Sequence, residues 1–267
     1  VQDGRTVLAR RVVMATGSAI AQFPTWVSQI AECYPAERLV HSQSIDLRSL
    51  KLAGERILIV GGGLTSGHLA IGAMNRGAKV SLMSRRSLNE KLFDADPGWL
   101  GPKYLKGFHA EPDWLARWQM IQQARNGGSL TPAMMTQLRR ARHSNRLTFY
   151  PECQILKASW QEQSWQVICE NGEVQNYDRI WLATGTRFDV TADSLFADML
   201  KAHPIQIVNG LPVLDSCLRW AKSELFVMGG LAALQVGPTA RNLSGARMAS
   251  DRIVPVLIKP RILAKSA

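Results

Sequence analysis

A CxxC pair is missing from this chain. Its four cysteines, Cys33, Cys153, Cys169 and Cys217, are scattered, which excludes a redox dithiol and the paired-thiolate zinc sites that need that spacing. Long apolar runs are missing too. The longest are strand-length, well short of the ~20 residues of a membrane-spanning helix. The opening VQDGRTV has no charged start followed by an apolar block, so it does not read as a secretory signal. With unpaired cysteines, this fits a reducing cytoplasm. Acidic residues are few, 21 against 32 Lys and Arg, giving a net charge of +11. That excess suits a solvated basic surface or phosphate-bearing ligands. Nucleic acid fits poorly, because the densest basic cluster (Arg139, Arg140, Arg142, His143 and Arg146) has no interleaved aromatics to stack bases. No catalytic triad and no metal-ligand cluster stands out. His41, His68, His109, His143 and His203 are spread along the chain and read as surface or packing residues.

What is present is ordinary globular material. Of 267 residues, 46% are apolar, enough to build two modest domains or one large one. Asp3-Gly4 signals a hairpin turn, and Leu8 to Ala15 read as a strand ending in Ala15-Thr16-Gly17. Residues 18–45 look irregular. Arg56 to Val60 read as a buried strand, followed by GGGLTSG at 61–67, a helix from about Leu64 to Arg76 stopped by Gly77, and a second strand from Lys79 to Ser84. This is a βαβ unit of the expected length. Residues 87–146 read as a helical insertion. One helix is expected from Pro112, with Trp114, Leu115, Trp118 and Ile121 on one face and Asn126-Gly127-Gly128 as its stop. A second helix runs from the cap Thr131 and Pro132 to His143. Antiparallel strands occupy 153–177 around the turn Asn171-Gly172, and a buried strand, Arg179 to Ala183, ends in Ala183-Thr184-Gly185. Glu224 to Met228 form a last strand, and Pro238 to Val254 read as a helix whose first turn carries Pro238.

The strongest chemical signal is ILIVGGGLTSG. Gly61 lets the chain turn tightly off the strand, with Gly62 following it. Gly63 lets the backbone approach a pyrophosphate, and Ser66 fills the third small position, where helix packs on strand. Leu64 and Thr65 open the helix, whose N-terminus offers unpaired N–H groups and a partial positive charge. The end of the second strand sets the cofactor. An acid there bonds the ribose 2′-hydroxyl of NAD, whereas an arginine accommodates the 2′-phosphate of NADP. This chain has Ser84-Arg85-Arg86 and no acid before Glu90, which favours NADPH. The two ATG sites, at 15–17 and 183–185, bracket the GGGLTSG unit. Each supplies a small, sharp exit where chain passes close to a nucleotide, so Thr16, Gly17, Thr184 and Gly185 join the candidate cofactor residues.

The order ARRVVMATGS, ERILIVGGGLTSG, DRIWLATGT and LFVMGGLAALQVGPTARN resembles the two-dinucleotide-binding-domain flavoproteins. The segment NEKLFDAD is similar to the N-hydroxylating monooxygenases that act on lysine or ornithine. The resemblance implies an α/β fold in which a Rossmann-type NADPH-binding domain (46–189, with the helical insertion 87–146) is inserted into a partial FAD-binding Rossmann-type domain (1–45 and 190–267). It also implies that FAD and NADPH do the chemistry. NADPH reduces the flavin, dioxygen reacts, and one oxygen goes to a small amine or amino-acid substrate, with no side-chain catalyst required. The flavin contact falls to backbone around Gln235, Val236, Gly237 and Pro238, because Gly229-Gly230 has no acid after it. The family's N-terminal FAD loop has no counterpart in these residues, and the chain starts at Val1. A fragment, a split protein or a degenerate one is therefore expected, in which an upstream segment or a partner chain would complete the FAD site. Two further readings stand beside the monooxygenase: a flavin reductase passing electrons to another acceptor, and a non-catalytic nucleotide-binding remnant or subunit.

Overall fold

The computed structural model describes residues 6–17, 19–125 and 127–258. The principal strands in chain order are β1 (Val12–Met14), β2 (Leu39–His41), β3 (Arg56–Val60), β4 (Lys79–Ser84), β5 (Leu147–Pro151), β6 (Ile155–Gln161), β7 (Ser164–Cys169), β8 (Val174–Tyr177), β9 (Arg179–Leu182) and β10 (Leu225–Val227). The longer helices are α1 (Leu64–Met74), α2 (Pro102–Ala110), α3 (Trp114–Arg125), α4 (Pro132–His143) and α5 (Leu243–Ile258). The chain divides into two compact units. One holds Ala21–Asp94 and Gly127–Arg187. The other holds the residues up to Ile20, those from Ala95 to Arg125, and those from Phe188 onward.

The first unit is built on a parallel sheet of order β2-β9-β3-β4-β5. Its strands are apolar on both faces because both faces are covered. Ile57, Ile59, Val80, Leu82 and Trp181 point to one side and pack with α1 and α4. Leu58, Met83, Ile180 and Leu182 point to the other and meet the antiparallel meander β6-β7-β8. Full burial of such a side chain contributes about 1.5–3 kcal/mol. At the sheet's lower edge Arg179 is tied to Glu55, at 3.1 Å to Oε1, and to the Glu37 carbonyl at 3.1 Å. Gly77 ends the α1 region in a left-handed turn with φ +83°, and the Thr131 hydroxyl caps α4 by accepting from the Met134 N–H at 3.2 Å, both as the sequence suggests.

In the second unit β1 and β10 form a parallel pair, with Val12 opposite Leu225 and Met14 opposite Val227. Beside the pair, Arg11 bonds Glu224 at 3.0 Å. The core joins Trp99, Phe108, Phe196, Trp220 and Phe226, with Phe196 stacked on Trp220 at 5.7 Å.

Several sequence expectations are corrected. The hairpin at Asp3-Gly4 lies outside the described residues. The strand expected over Leu8–Ala15 is confined to Val12–Met14, and Leu8 is 95% exposed. Residues 18–45 contain β2, which joins the large sheet through β9; three residues are too few to show a periodicity. Residues 21–45, assigned by sequence to the flavin half, thus belong to the sheet unit. The insertion 87–146 is divided between the units at Asp94 and Gly127. It contains an unforeseen helix, α2, begun by Pro102. The helix expected from Pro112 starts at Trp114, because the Asp113 carboxylate accepts from the N–H groups of Leu115 and Ala116. Leu115 is exposed on α3, and the buried position on that turn is Arg117, whose guanidinium meets the carbonyls of His109, Glu111 and Leu234. Pro238 does not start the last helix. Gly237 has φ +98°, the chain turns through 238–242, and α5 begins at Leu243 under an Asn242 side-chain cap to Gly245.

Two predictions follow from this packing. A β-carbon on Gly61 would lie 2.3 Å from the Ala183 carbonyl oxygen, at φ +147°. Backbone meets backbone there, so neither side can yield cheaply. Gly61→Ala should destabilise the chain by about 3 kcal/mol or more, lowering Tm by roughly 6–12 °C; a calorimetric scan showing an unchanged midpoint would contradict this packing. His41, at the end of β2, is buried. Its Nε2 lies 3.0 Å from the Gly185 carbonyl, and its Nδ1 accepts from the Gln43 N–H at 3.3 Å. Nδ1 is therefore unprotonated, and the ring is neutral with Nε2 donating. Burial is the main cause of a pKa below the ordinary 6.5. A depressed histidine pKa means that the unfolded chain takes up the proton first. The stability is full above about pH 6.5 and falls as pH drops through the folded-state value. His41→Gln keeps a donor to Gly185 and removes the titration. Its Tm should fall less than wild type's between about pH 7.5 and about pH 5, read by thermal denaturation.

Candidate nucleotide-binding site

The register of the parallel sheet gathers the sequence-selected residues of the first unit at one end. Val60 lies opposite Met83 and Leu182, so the segments that leave β3, β9 and β4 emerge together: Gly61–Gly63, Ala183–Gly185, and Arg85–Arg86. The chain runs from β3 through α1 to β4 on one side, while β9 flanks β3 on the other. Strand order therefore reverses between β3 and β9. Open α/β sheets bind ligands in the crevice at that reversal, at the carboxyl ends of the strands.

Each glycine of the loop has its own neighbour. Gly61 sits against Ala183, with its N–H held by the Met83 carbonyl at 2.8 Å. A β-carbon on Gly62 would approach the Ser84 Cβ at 3.3 Å. Gly63 is the N-cap of α1, extended at φ −102°, with no side-chain cap and no acid in the first turn. Its carbonyl accepts from the Ser66 N–H at 3.0 Å and from the Ser66 hydroxyl at 2.6 Å. Ser66 is fully buried, as its small-residue role requires, while Leu64 and Thr65 are exposed. The first N–H groups of a helix have no intrahelical partner. Here they carry the positive end of the helix dipole, with no acid in the first turn to offset it.

At the end of β4 the Ser84 hydroxyl donates to the Arg86 carbonyl at 2.7 Å, bending the chain so that both arginines are exposed. Among the described residues the Arg85 side chain has no hydrogen-bond or ion-pair partner, whereas Arg86 is engaged, and its guanidinium lies beside Gly127. The Thr184 hydroxyl donates to the Gln22 carbonyl. Gly185 is left-handed at φ +85° with open space where a side chain would project.

In the second unit the other ATG behaves alike. Gly17 is left-handed at φ +63°, and Gly229, just past β10, is left-handed at φ +76°; both face open space. Since Met14 pairs with Val227 in parallel, Thr16–Gly17 and Gly229–Gly230 leave the same end of that strand pair. Val236 is fully buried, and the carbonyls around it are taken. Leu234 accepts from Arg117 at 3.2 Å, Gln235 from Arg252 at 3.0 Å, and Pro238 from Arg125 at 3.1 Å.

Two features at the glycine loop escaped the sequence reading. His41, treated there as packing, bonds the ATG glycine. Gly127-Gly128, treated as a helix stop, lies on the glycine loop itself: the open side of Gly63 faces the Gly128 Cα, and a β-carbon there would be 3.4 Å away. The lack of a side chain at Gly63 thus has a packing reason beside the ligand reason. Among the described residues no group of three or more His, Cys, Asp or Glu could hold a metal ion, and no described helix is long and apolar enough to cross a membrane.

A family profile described as pyridine nucleotide-disulphide oxidoreductase matches residues 1–96. No curated protein sequence matches the chain. Among solved structures, the chain is similar to the FAD-bound cadaverine monooxygenase DfoA of Erwinia amylovora. The TM-score is 0.73 at 14% identity, over 93% of this chain and 60% of that one. It is similar to the reduced ornithine hydroxylase PvdA of Pseudomonas aeruginosa, with TM-score 0.73 at 16% identity over 93% and 62%. It is also similar to the ornithine N-hydroxylase KtzI of Kutzneria sp. 744, solved with reduced FAD, NADP+ and L-ornithine, with TM-score 0.71 at 19% identity over 95% and 64%. The chain spans under two thirds of the length of each. At these identities the likeness is one of fold, and that fold is the α/β, Rossmann-type architecture of flavoprotein oxidoreductases.

Proposed function

We propose that the chain forms the NADPH-binding part, and contributes to the flavin-binding part, of an FAD-dependent oxidoreductase of monooxygenase type acting on a small amine or amino acid with dioxygen. The observation that carries this reading is the convergence at the β3/β9 reversal of an uncapped, acid-free helix N-terminus, an open left-handed glycine at 185 and a basic strand end at Arg85–Arg86. The fold likeness to cadaverine and ornithine hydroxylases supports the reaction type.

The first unit fits a dinucleotide. The backbone of Gly61–Ser66 would take the pyrophosphate at the α1 N-terminus, and Thr184–Gly185 would flank it. In the second unit Thr16, Gly17 and the segment Gln235–Pro238 would lie against the flavin, where Gly17 and Gly229 leave room for it. The two cofactors, when bound, supply hydride transfer and oxygen activation. The chain's own residues bind, orient and neutralise charge. With NADPH the 2′-phosphate brings negative charge to the end of β4, and Arg85 meets it: its guanidinium is exposed and unpaired among the described residues, whereas Arg86 is already held near Gly127.

A hydrogen bond to a charged group contributes about 1.5–3 kcal/mol, and exposure to solvent and salt pushes this towards the lower figure. Arg85→Ala should therefore weaken NADPH binding about five- to tenfold while leaving NADH nearly unchanged, and added salt should narrow the gap. Arg86→Ala should discriminate less between the two nucleotides. Paired titrations of NADPH and NADH measure this. Equal losses for both nucleotides, or a wild type that prefers NADH, would overturn the NADPH assignment.

A further inference from the structure

The glycine loop has a cover made by the chain itself. A β-carbon on Gly128 would lie 2.7 Å from the Gly63 Cα and 3.1 Å from the Gly63 nitrogen, so the two backbones touch with no side chain between them. Gly128 is nonetheless exposed on its outer side, and Gly63 is half-buried beneath it. Gly127 is left-handed at φ +81°, a conformation in which glycine pivots without the penalty a side chain brings. Beyond the pair the chain is tied down. The Leu130 N–H donates to the Asn89 carbonyl at 2.8 Å, and the Lys91 N–H to the Leu130 carbonyl at 2.9 Å. The Ser129 hydroxyl donates to Asp94 at 3.3 Å, and Arg139 on α4 pairs with Glu90 at 2.8 Å. Leu130 itself is fully buried against α1 and α4. A short glycine piece, 127–128, thus projects from an anchored strap, 89–94 with 129–131, onto the N-cap of α1.

We infer that Gly127–Gly128 is a lid that occupies the pyrophosphate position in the nucleotide-free protein and is displaced when a dinucleotide enters. A phosphate oxygen accepting from the α1 N-terminus requires room beside the Gly63 nitrogen, and Gly128 stands against that space, close enough that a β-carbon on it would come within 3.1 Å of the nitrogen. The lid rests on the nucleotide-binding reading of the loop. Its energetic consequence is separate: each binding event must first open the lid, so the apparent affinity is lower than the intrinsic one by the fraction of open molecules. The closed form also covers a helix N-terminus that carries partial positive charge and no acid, keeping it from adventitious anions.

The test is NADPH titration of the full chain and of Gly128→Ala, with hydrogen–deuterium exchange of both. Alanine cannot settle on Gly63, so the lid should stand open. NADPH should bind about three- to tenfold more tightly to the variant, and residues 127–131 should exchange faster in it without ligand. In wild type, NADPH should speed exchange at 127–128 while slowing it at the α1 N-terminus. Unchanged or weaker binding by Gly128→Ala, or slower exchange at 127–128 on adding NADPH, would overturn the lid while leaving nucleotide binding intact. No binding of NADPH or NADH by either protein would overturn the nucleotide reading, and the lid with it. If Gly128→Ala does not fold, Ser129→Ala serves instead. It removes the Asp94 tether without adding bulk and should tighten binding about twofold; no gain there would count against the lid.

Discussion

The contact between Gly61 and the Ala183 carbonyl sets the geometry on which everything at the sheet's upper end depends. Two adjacent parallel strands, β3 and β9, leave the sheet at the same level, and their exit segments press together closely enough that only a glycine, at φ +147°, can stand at the first position. That approach is supported below by Ala183 donating to the Val60 carbonyl and Gly61 to the Met83 carbonyl, both at 2.8 Å. Gly61 is therefore bonded to one neighbouring strand and packed on the other. From this fixed point the chain enters α1, and the helix N-terminus is aimed into the reversal of strand order. His41 adds a third strand to the same end by bonding Gly185. This end of the sheet is thus built mainly from backbone, which explains why it needs small residues.

The same economy explains how charge is handled there. The first turn of α1 lacks an acid and the end of β4 carries two arginines, with Glu152 close by as acceptor for the Ser87 hydroxyl; Glu90 and Asp94 belong to the strap. Glu90 is neutralised by Arg139, and Asp94 accepts from Ser129. Glu90 and Asp94 thus serve to hold the covering loop, and Arg85 is left with no partner among the described residues. The salt dependence expected of such an exposed arrangement is large. Under the NADPH reading it separates an Arg85 contribution from that of the half-buried backbone loop, which salt screens less.

Elements whose ends are fixed by their own residues could be read directly. The unit β3–α1–β4 has its short apolar strands buried on both faces, its glycine loop and its Gly77 stop; α4 has Thr131 and Pro132; the hairpin of β7 and β8 has Asn171-Gly172, with Gly172 left-handed at φ +83°. What could not be read depends on partners distant in sequence. The strand β2 is only Leu39–His41, and it is a strand because β9 offers it hydrogen bonds. Leu115, expected on the packed face of α3, is exposed, whereas Arg117 is buried because the carbonyls of His109, Glu111 and Leu234 satisfy its guanidinium. Pro238 looks like a helix start, but the left-handed Gly237 precedes it, and Asn242 supplies the cap five residues before Arg247. At the candidate site the glycines were legible as a motif, and so was the basic strand end. The mutual contact of Gly63 and Gly128 was not, since 65 residues separate two glycines whose only common property is the absence of a side chain.

Arg117 shows how the second unit prepares its own turn. Burying a guanidinium is costly unless its donors are satisfied, and here three carbonyls and the faces of Phe108 and Trp114 meet it. Burial lowers its pKa from the ordinary arginine value, yet at such a high starting point it stays charged. Arg252 and Arg125 do the same for the next carbonyls, at Gln235 and Pro238. Three cations therefore lie on the carbonyl side of one short segment. A peptide whose oxygen is drawn towards a cation must direct its N–H the opposite way, because the plane is rigid. In this segment the rule sends the donors inward too: the Gly237 N–H donates to the Ala233 carbonyl at 2.8 Å, and Pro238 has no N–H. The backbone of the turn is therefore satisfied from within the second unit, which fixes the course of the chain between the last short helix and α5.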